Sequence, residues 1–135
     1  MEDSTLSELF WSVARRLRHL GKETLEPLGI SPSQARAIGE LTRHGSMRPG
    51  VLAEHLRIAA RSATEVVDDL QERGLVERDH DPADRRATLV SLTRAGRETA
   101  ERIKATRQAE AERFFGSLDP VDRTELTRIL RTLRD

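Results

Sequence analysis

Two groups of side chains could do chemistry. Asp84-Arg85-Arg86 sets two adjacent guanidiniums behind a carboxylate, and Arg61-Ser62, followed by Thr64, sets a guanidinium beside two hydroxyls. A guanidinium is a planar fork of donors, always charged, that fits phosphate, carboxylate and the acceptor edge of guanine. This is binding chemistry. The other requirements of catalysis are missing. His19, His44, His55 and His80 contain no pair of histidines four apart, as a helical metal site needs. No Ser/His/Asp set or carboxylate pair sits on elements that converge, and there is no glycine-rich phosphate loop. Cysteine is absent, which excludes a disulfide framework, a thiolate metal site and a thiol switch. The expectation is no catalytic residue, no metal, no cofactor and no enzyme.

The elements that position these groups follow from periodicity. Leu6, Phe10, Val13, Leu17 and Leu20 form one helical stripe, widened by Leu9 and Trp11, in a helix expected to end near Gly21. Ser31-Pro32-Ser33-Gln34 announces a second helix through a capping box with proline in its first turn, ending near His44-Gly45. A short third helix runs from about Pro49 to Leu56. After a turn at Arg57-Ile58-Ala59 a fourth runs to Arg73, with Ala63, Val66, Val67 and Leu70 inward and Gly74 as its C-terminal cap. That pair has helix-turn-helix spacing. The period then becomes two in Leu75–Arg78 and Ala87–Leu92, two strands around a polar stretch, Asp79–Arg86, read as a long hairpin tip. Thr93 caps a long helix to about Gly116, and Asp119-Pro120 starts a last one with Leu126, Ile129, Leu130 and Leu133 on one side.

The fold class is therefore mainly α with a small β-hairpin: a winged helix-turn-helix at residues 30–92, flanked by terminal helices at residues 1–29 and 93–135. The terminal stripes are too thinly apolar to form a core alone and are expected to pair across an interface. At 135 residues, with 36% hydrophobic and 34% charged residues, the chain suits one packed domain. No run approaches the roughly 20 apolar residues of a membrane span. The acidic start, Met1-Glu2-Asp3, is unlike a secretory signal, so a cytoplasmic location is expected. Net charge is zero, and Lys22 and Lys104 are the only lysines among 23 basic residues, an arginine bias that a GC-rich genome also produces.

At the hairpin the sequence resembles the MarR family of bacterial transcription regulators. Asp84-x-Arg86, five residues, then Leu92-Thr93 is similar to that family's wing signature. Leu70–Arg78 resembles the end of its recognition helix with the first wing strand, and Gly45–Leu56 its supporting helix. The likeness extends over essentially the whole chain in length and helix order. It implies a homodimer with interlocking N- and C-terminal helices, on a palindromic operator in double-stranded DNA. It places a recognition helix in the major groove and a wing in the minor groove, with Arg86 inserting and Asp84 orienting it. It also implies release of DNA by a small aromatic or anionic effector.

Residues at the start of a recognition helix are those that reach base edges. Arg61 could hold guanine through two bonds, while Ser62 and Thr64 could take a phosphate or a base edge. The bland alternative is a solvated face with a capping hydroxyl. Arg85 joins Arg86 on the wing, where a narrow minor groove attracts arginine. Residues 48–92 hold seven arginines against nine acids, so the positive charge must be arranged rather than abundant, with Arg48, Arg61, Arg85 and Arg86 on the DNA face. Trp11 and His19 are candidates to line an effector cleft, with core or interface packing as the alternative. Glu65, Asp68 and Asp69 on the fourth helix feed a rival reading, a winged-helix protein-interaction adaptor that has lost DNA binding.

Overall fold

The computed structural model describes residues 4–135; the acidic start, Met1-Glu2-Asp3, lies outside the described residues. In order, the elements are α1 (Leu6–Leu25), a single 3-10 turn (Glu26–Leu28), α2 (Pro32–His44), α3 (Pro49–Leu56), α4 (Ala60–Glu72), β1 (Val76–Asp81), β2 (Asp84–Leu92), α5 (Arg94–Phe115) and α6 (Pro120–Arg134). A mainly α chain with one antiparallel hairpin is the expected class.

Local chemistry explains most boundaries. Ser31 Oγ accepts from the Gln34 N–H at 3.2 Å while Gln34 Oε1 accepts from the Ser31 N–H at 2.9 Å, the reciprocal box that starts α2. Asp119 starts α6 in a simpler way, its Oδ1 accepting from the Asp122 N–H at 2.8 Å. α1 runs four residues beyond the expected stop at Gly21, to Leu25. A lone glycine only weakens a helix interior; the chain turns later, at Gly29, whose left-handed φ of 68° follows the 3-10 turn. Gly74 takes φ 74° just past α4, as a C-terminal glycine should.

α4 begins without a cap. Ala59 has the extended backbone of an N-cap, φ −63° and ψ 148°, but no side chain to accept a free N–H. Ala59→Ser should therefore raise unfolding free energy by about 0.5–1 kcal/mol. Urea titration of the two proteins checks this, and an unchanged midpoint would count against the capping argument.

The chain divides into two compact units, Leu25–Ala105 and a second made of Met1–Thr24 with Thr106–Asp135. The Leu25–Ala105 unit holds the core. Ile38 of α2, Leu52 of α3, Val67 and Leu70 of α4, and Val76 and Val90 of the hairpin are all essentially solvent-free. Ala63, Val67 and Leu70 are spaced four and three apart, so one face of α4 is buried and the other left to solvent. Met47 extends the sheet by exchanging backbone bonds with Val90, at 3.1 and 2.8 Å. Thr93 joins the two ends of the wing to α5. Its Oγ1 accepts from the Gly96 N–H at 3.0 Å and donates to the Gly74 carbonyl at 2.6 Å, while its own N–H donates to the Leu75 carbonyl at 3.0 Å.

The hairpin corrects the expected long tip. Both strands run through the polar stretch, leaving only Pro82-Ala83 as the turn. The outer half of the hairpin has no core face to fill, so pairing rather than apolar alternation makes it a strand, and its polarity mimics a loop. Register runs from Val76↔Leu92 to His80↔Thr88 and then jumps to Asp81↔Asp84. Arg85, Arg86 and Ala87 are left over on β2 as a bulge.

The other unit is different. None of its described residues is fully buried. The Arg16 guanidinium lies 5.4 Å from the Phe114 ring centroid, and Phe114 meets Phe115 edge to face. Leu6, Phe10, Trp11 and Val13 of α1 stay exposed, as do Val121, Ile129, Leu130 and Leu133 of α6.

Candidate nucleic-acid interface

The first turn of α4 presents Arg61, Ser62 and Thr64 to solvent, because Ala63 and Val67 between and beyond them take the buried face. Among the described residues the Arg61 guanidinium has no hydrogen-bond partner in its own chain. The Thr64 hydroxyl donates to the Ala60 carbonyl at 3.0 Å. Its proton is thus occupied, and it faces a ligand as an acceptor, which suits a base amino group better than a phosphate. The turn before α4 is fixed from behind: Arg57 closes α3 with a left-handed φ of 55°, and Arg36 donates to the Leu56 carbonyl.

On the wing, the arginine pair sits behind the turn rather than on it. Asp81 closes the turn, its Oδ1 accepting from the Ala83 N–H at 2.9 Å. In the bulge, the His80 ring Nδ1 lies 3.0 Å from the Arg85 carbonyl oxygen, and Asp84 Oδ1 accepts from the Arg86 N–H at 3.0 Å. Asp84 therefore bonds the backbone of Arg86 and not its guanidinium. Neither guanidinium of the pair has an intrachain partner among the described residues, and both side chains are exposed. A bulge re-aims side chains away from the regular pleat, and here it turns out two permanent charges.

Arg48 behaves otherwise. It is the N-cap residue of α3, and its Nε and Nη2 donate to Asp81 Oδ2 at 3.0 and 2.9 Å. The Ala83 N–H and then the Arg48 guanidinium hold the Asp81 carboxyl below its ordinary range. Arg48 thus ties α3 to the wing. Arg73 and Arg78 are also structural, a use the sequence alone did not separate: Arg73 donates to the Gly29 carbonyl, and Arg78 to Gln71 and, at 2.6 Å, to Asp68. The Arg78 pair neutralises one of the acids on α4, while Glu65 and Asp69 remain exposed.

The two candidate cleft residues are not brought together. Trp11 is exposed and stacks edge to face on Phe10, and His19 pairs with Glu23 at 3.1 Å; eight residues of helix separate them by about 12 Å. Within the Leu25–Ala105 unit, a groove of about 780 Å³ is lined by the end of α2, β2 and the start of α5. Glu77, Glu98 and Glu101 outnumber Arg94 and Arg97 there, which does not suit an anion. Among the described residues one group of metal-ligating side chains comes together: Glu40, His44 and His55, with donor atoms within 4.8 Å of one another. Spacing among histidines alone could not find it, because its helical pair is Glu40 with His44.

A helix-turn-helix with an open arginine at the head of its second helix, followed by a two-stranded wing carrying two more, defines a winged-helix DNA-binding protein. Comparison with known proteins agrees. The sequence pattern of the MarR family matches residues 28–87. An uncharacterized HTH-type transcriptional regulator of Mycobacterium bovis is 35% identical over 132 residues, 98% of this chain and 87% of that protein. The HTH-type transcriptional repressor MdtR of Bacillus subtilis is 29% identical over 86% of this chain and 77% of its own. The crystal structure of wild-type MarR from E. coli superposes with a TM-score of 0.88 at 25% identity, covering 98% of each chain. The chain belongs to the MarR family and is a DNA-binding transcriptional regulator. Members of this family are transcription regulators, not enzymes, and the adaptor alternative is not favoured. Among the described residues no helix is long and apolar enough to cross a membrane.

Proposed function

We propose that the protein is a homodimeric repressor that sets α4 in the major groove and the β2 bulge in the minor groove of a palindromic operator. The observation that carries this reading is the pair of exposed, unpartnered guanidiniums in the bulge, alongside Arg61 at the head of α4. Arg61, Ser62 and Thr64 contact bases or phosphates, Arg85 and Arg86 take the groove, and Asp84 positions Arg86. Arg48 meets DNA only through whatever its guanidinium has left beside Asp81. The name of the relative MdtR, a repressor, favours repression. Such a protein works in the cytoplasm, where bacterial DNA is. A gel-shift titration with the DNA flanking its own gene tests the reading: a discrete complex that survives competitor DNA supports it, and binding no tighter than to random DNA overturns it.

In this reading residues 30–92 form the DNA-binding lobe and residues 1–29 and 93–135 the dimerisation region. The large apolar side chains that α1 and α6 leave open to water support the second assignment, since apolar surface rimmed by polar residues marks an interface. The two recognition helices of the dimer should lie roughly 34–36 Å apart, one turn of DNA. Analytical ultracentrifugation at micromolar protein should give a dimer, and removal of residues 119–135 should abolish it. A truncated protein that stays folded and dimeric would sink the assignment of α6.

With no cysteine for a thiol switch, control by a small aromatic or anionic effector is the mode that remains. The effector must bind the DNA-incompetent arrangement better than the competent one. Operator binding should be weakened by salicylate-like acids and untouched by peroxide; the reverse pattern would overturn this part of the reading.

A further inference from the structure

Glu40, His44 and His55 are not among the residues assigned to DNA. Glu40 and His44 are one turn apart on α2, and His55 is the penultimate residue of α3. Glu40 Oε2 lies 3.3 Å from His44 Nε2 and 3.5 Å from His55 Nδ1. In a tetrahedral zinc site with bonds of about 2.0–2.1 Å, neighbouring donor atoms are about 3.3 Å apart. Two of the three edges are therefore already near their bound length.

The carboxylate is divided between two tasks. Oε1 accepts from Arg43 Nη2 at 2.7 Å. Oε2 is shielded from solvent and has no hydrogen bond of good geometry, its only near polar atoms described being the two histidine nitrogens. A shielded carboxylate oxygen without a donor is costly, and this one faces two imidazoles. Both helices also end here, so their last carbonyls favour a cation. The rings of His44 and His55 stack with centroids 4.6 Å apart, and both side chains reach solvent, which leaves room for them to turn and for water to complete a coordination shell.

We propose that Glu40 Oε2, His44 Nε2 and His55 Nδ1 form a binding site for Zn²⁺ or a similar late first-row divalent ion, clasping α2 to the first helix of the helix-turn-helix. Two imidazoles and one carboxylate suit such ions; Mg²⁺ and Ca²⁺ prefer oxygen throughout. Binding requires the two rings to leave their stack so that both lone pairs converge on the ion. Arg43 keeps Oε1 and orients the carboxylate from outside, an arrangement common around metal ligands. Its positive charge lowers the affinity without occupying a ligand position. Because the unfolded chain does not hold the three groups together, the ion should stabilise the fold.

The test does not depend on DNA binding. Full-length protein freed of metal with a chelator is titrated with Zn²⁺ by calorimetry and with Co²⁺ by visible absorption, and its melting is followed with and without each ion. The expected result is one Zn²⁺ per chain at micromolar or tighter affinity and four-coordinate Co²⁺ bands. The melting temperature should rise with Zn²⁺, fall back with EDTA and not move with Mg²⁺. His55→Gln and Glu40→Gln should each raise the Kd for Zn²⁺ at least tenfold, and metal-free His55→Gln, altered at an exposed position, should still melt cooperatively. The proposal is overturned if the wild-type chain shows no saturable site at micromolar Zn²⁺, if Mg²⁺ stabilises it equally, or if the double variant His44→Gln/His55→Gln binds Zn²⁺ like wild type.

Discussion

Gly96→Ala should destabilise the protein by about 2–3 kcal/mol and lower its melting temperature by roughly 8–12 °C. Gly96 is buried in the first turn of α5, and a Cβ there would stand 2.0 Å from the Leu75 carbonyl oxygen and 3.1 Å from Leu92 Cδ2. The near atom is backbone, so no rotamer change relieves the clash; α5 itself must back away. That movement stretches the Thr93 N–H bond to Leu75 and the Thr93 hydroxyl bond to Gly74, the contacts that join α5 to the end of α4 and the wing. The better helix propensity of alanine, about 1 kcal/mol, only partly offsets this. Gly50→Ala is the matched control. It is also helical, and its new methyl would meet nothing within 4 Å, so a gain of about 0.4–1 kcal/mol is expected. Differential scanning calorimetry of the three proteins decides it, and a Gly96→Ala protein that melts with wild type would refute the close approach.

The second large effect concerns DNA. Arg61→Ala and Arg86→Ala should each cost about 1–3 kcal/mol on the operator, roughly a 5- to 150-fold loss. The two losses should differ in kind. In the proposed binding mode Arg61 meets base edges, so its removal should blunt discrimination at one base pair per half-site. In the same mode Arg86 enters the minor groove, so its removal should matter most where the flanks are A/T-rich and the groove narrow. Stability should hardly change, since both side chains are exposed and unpartnered. Asp84→Ala separates positioning from contact. Its carboxylate bonds the Arg86 N–H, not the guanidinium, so Asp84→Ala should cost less than Arg86→Ala, and the double variant should bind no worse than Arg86→Ala alone. Fluorescence-anisotropy titrations on two operators with different flanks report all four proteins. Wild-type affinity of Arg86→Ala on both would remove the wing from the DNA contact.

What could be read from the residues was whatever is decided locally. Ser31 and Gln34 cap α2 through atoms three residues apart, and the spacing of Ala63, Val67 and Leu70 alone divides α4 into an inner and an outer face. The features that escaped depend on partners distant in the chain. The β2 bulge comes from a register jump between His80 and Asp81, which no local pattern encodes. Arg48, Arg73 and Arg78 look like free charges until Asp81, Gly29 and Asp68 are set beside them. Gly21 imitates a helix stop because a glycine's role depends on the φ that its surroundings impose. The Glu40 group required α3 to be packed on α2 before His55 could join a pair already on one helix.

The Arg48–Asp81 bond is a latch across a caliper. One jaw is the helix-turn-helix, held through α3; the other is the wing, held through the residue that closes its turn. The bond's two N–H donors converge on one oxygen, so opening the jaws gives up both, a resistance of about 1 kcal/mol for a pair open to water. If the helix-turn-helix and the wing take the grooves as proposed, an operator that separates those contacts by a different distance should be bent to fit, and the energy of that bend depends on base steps the protein never touches. Breaking the latch with Arg48→Ala would loosen the caliper, and selectivity among flanking sequences should fall further than affinity for the best of them.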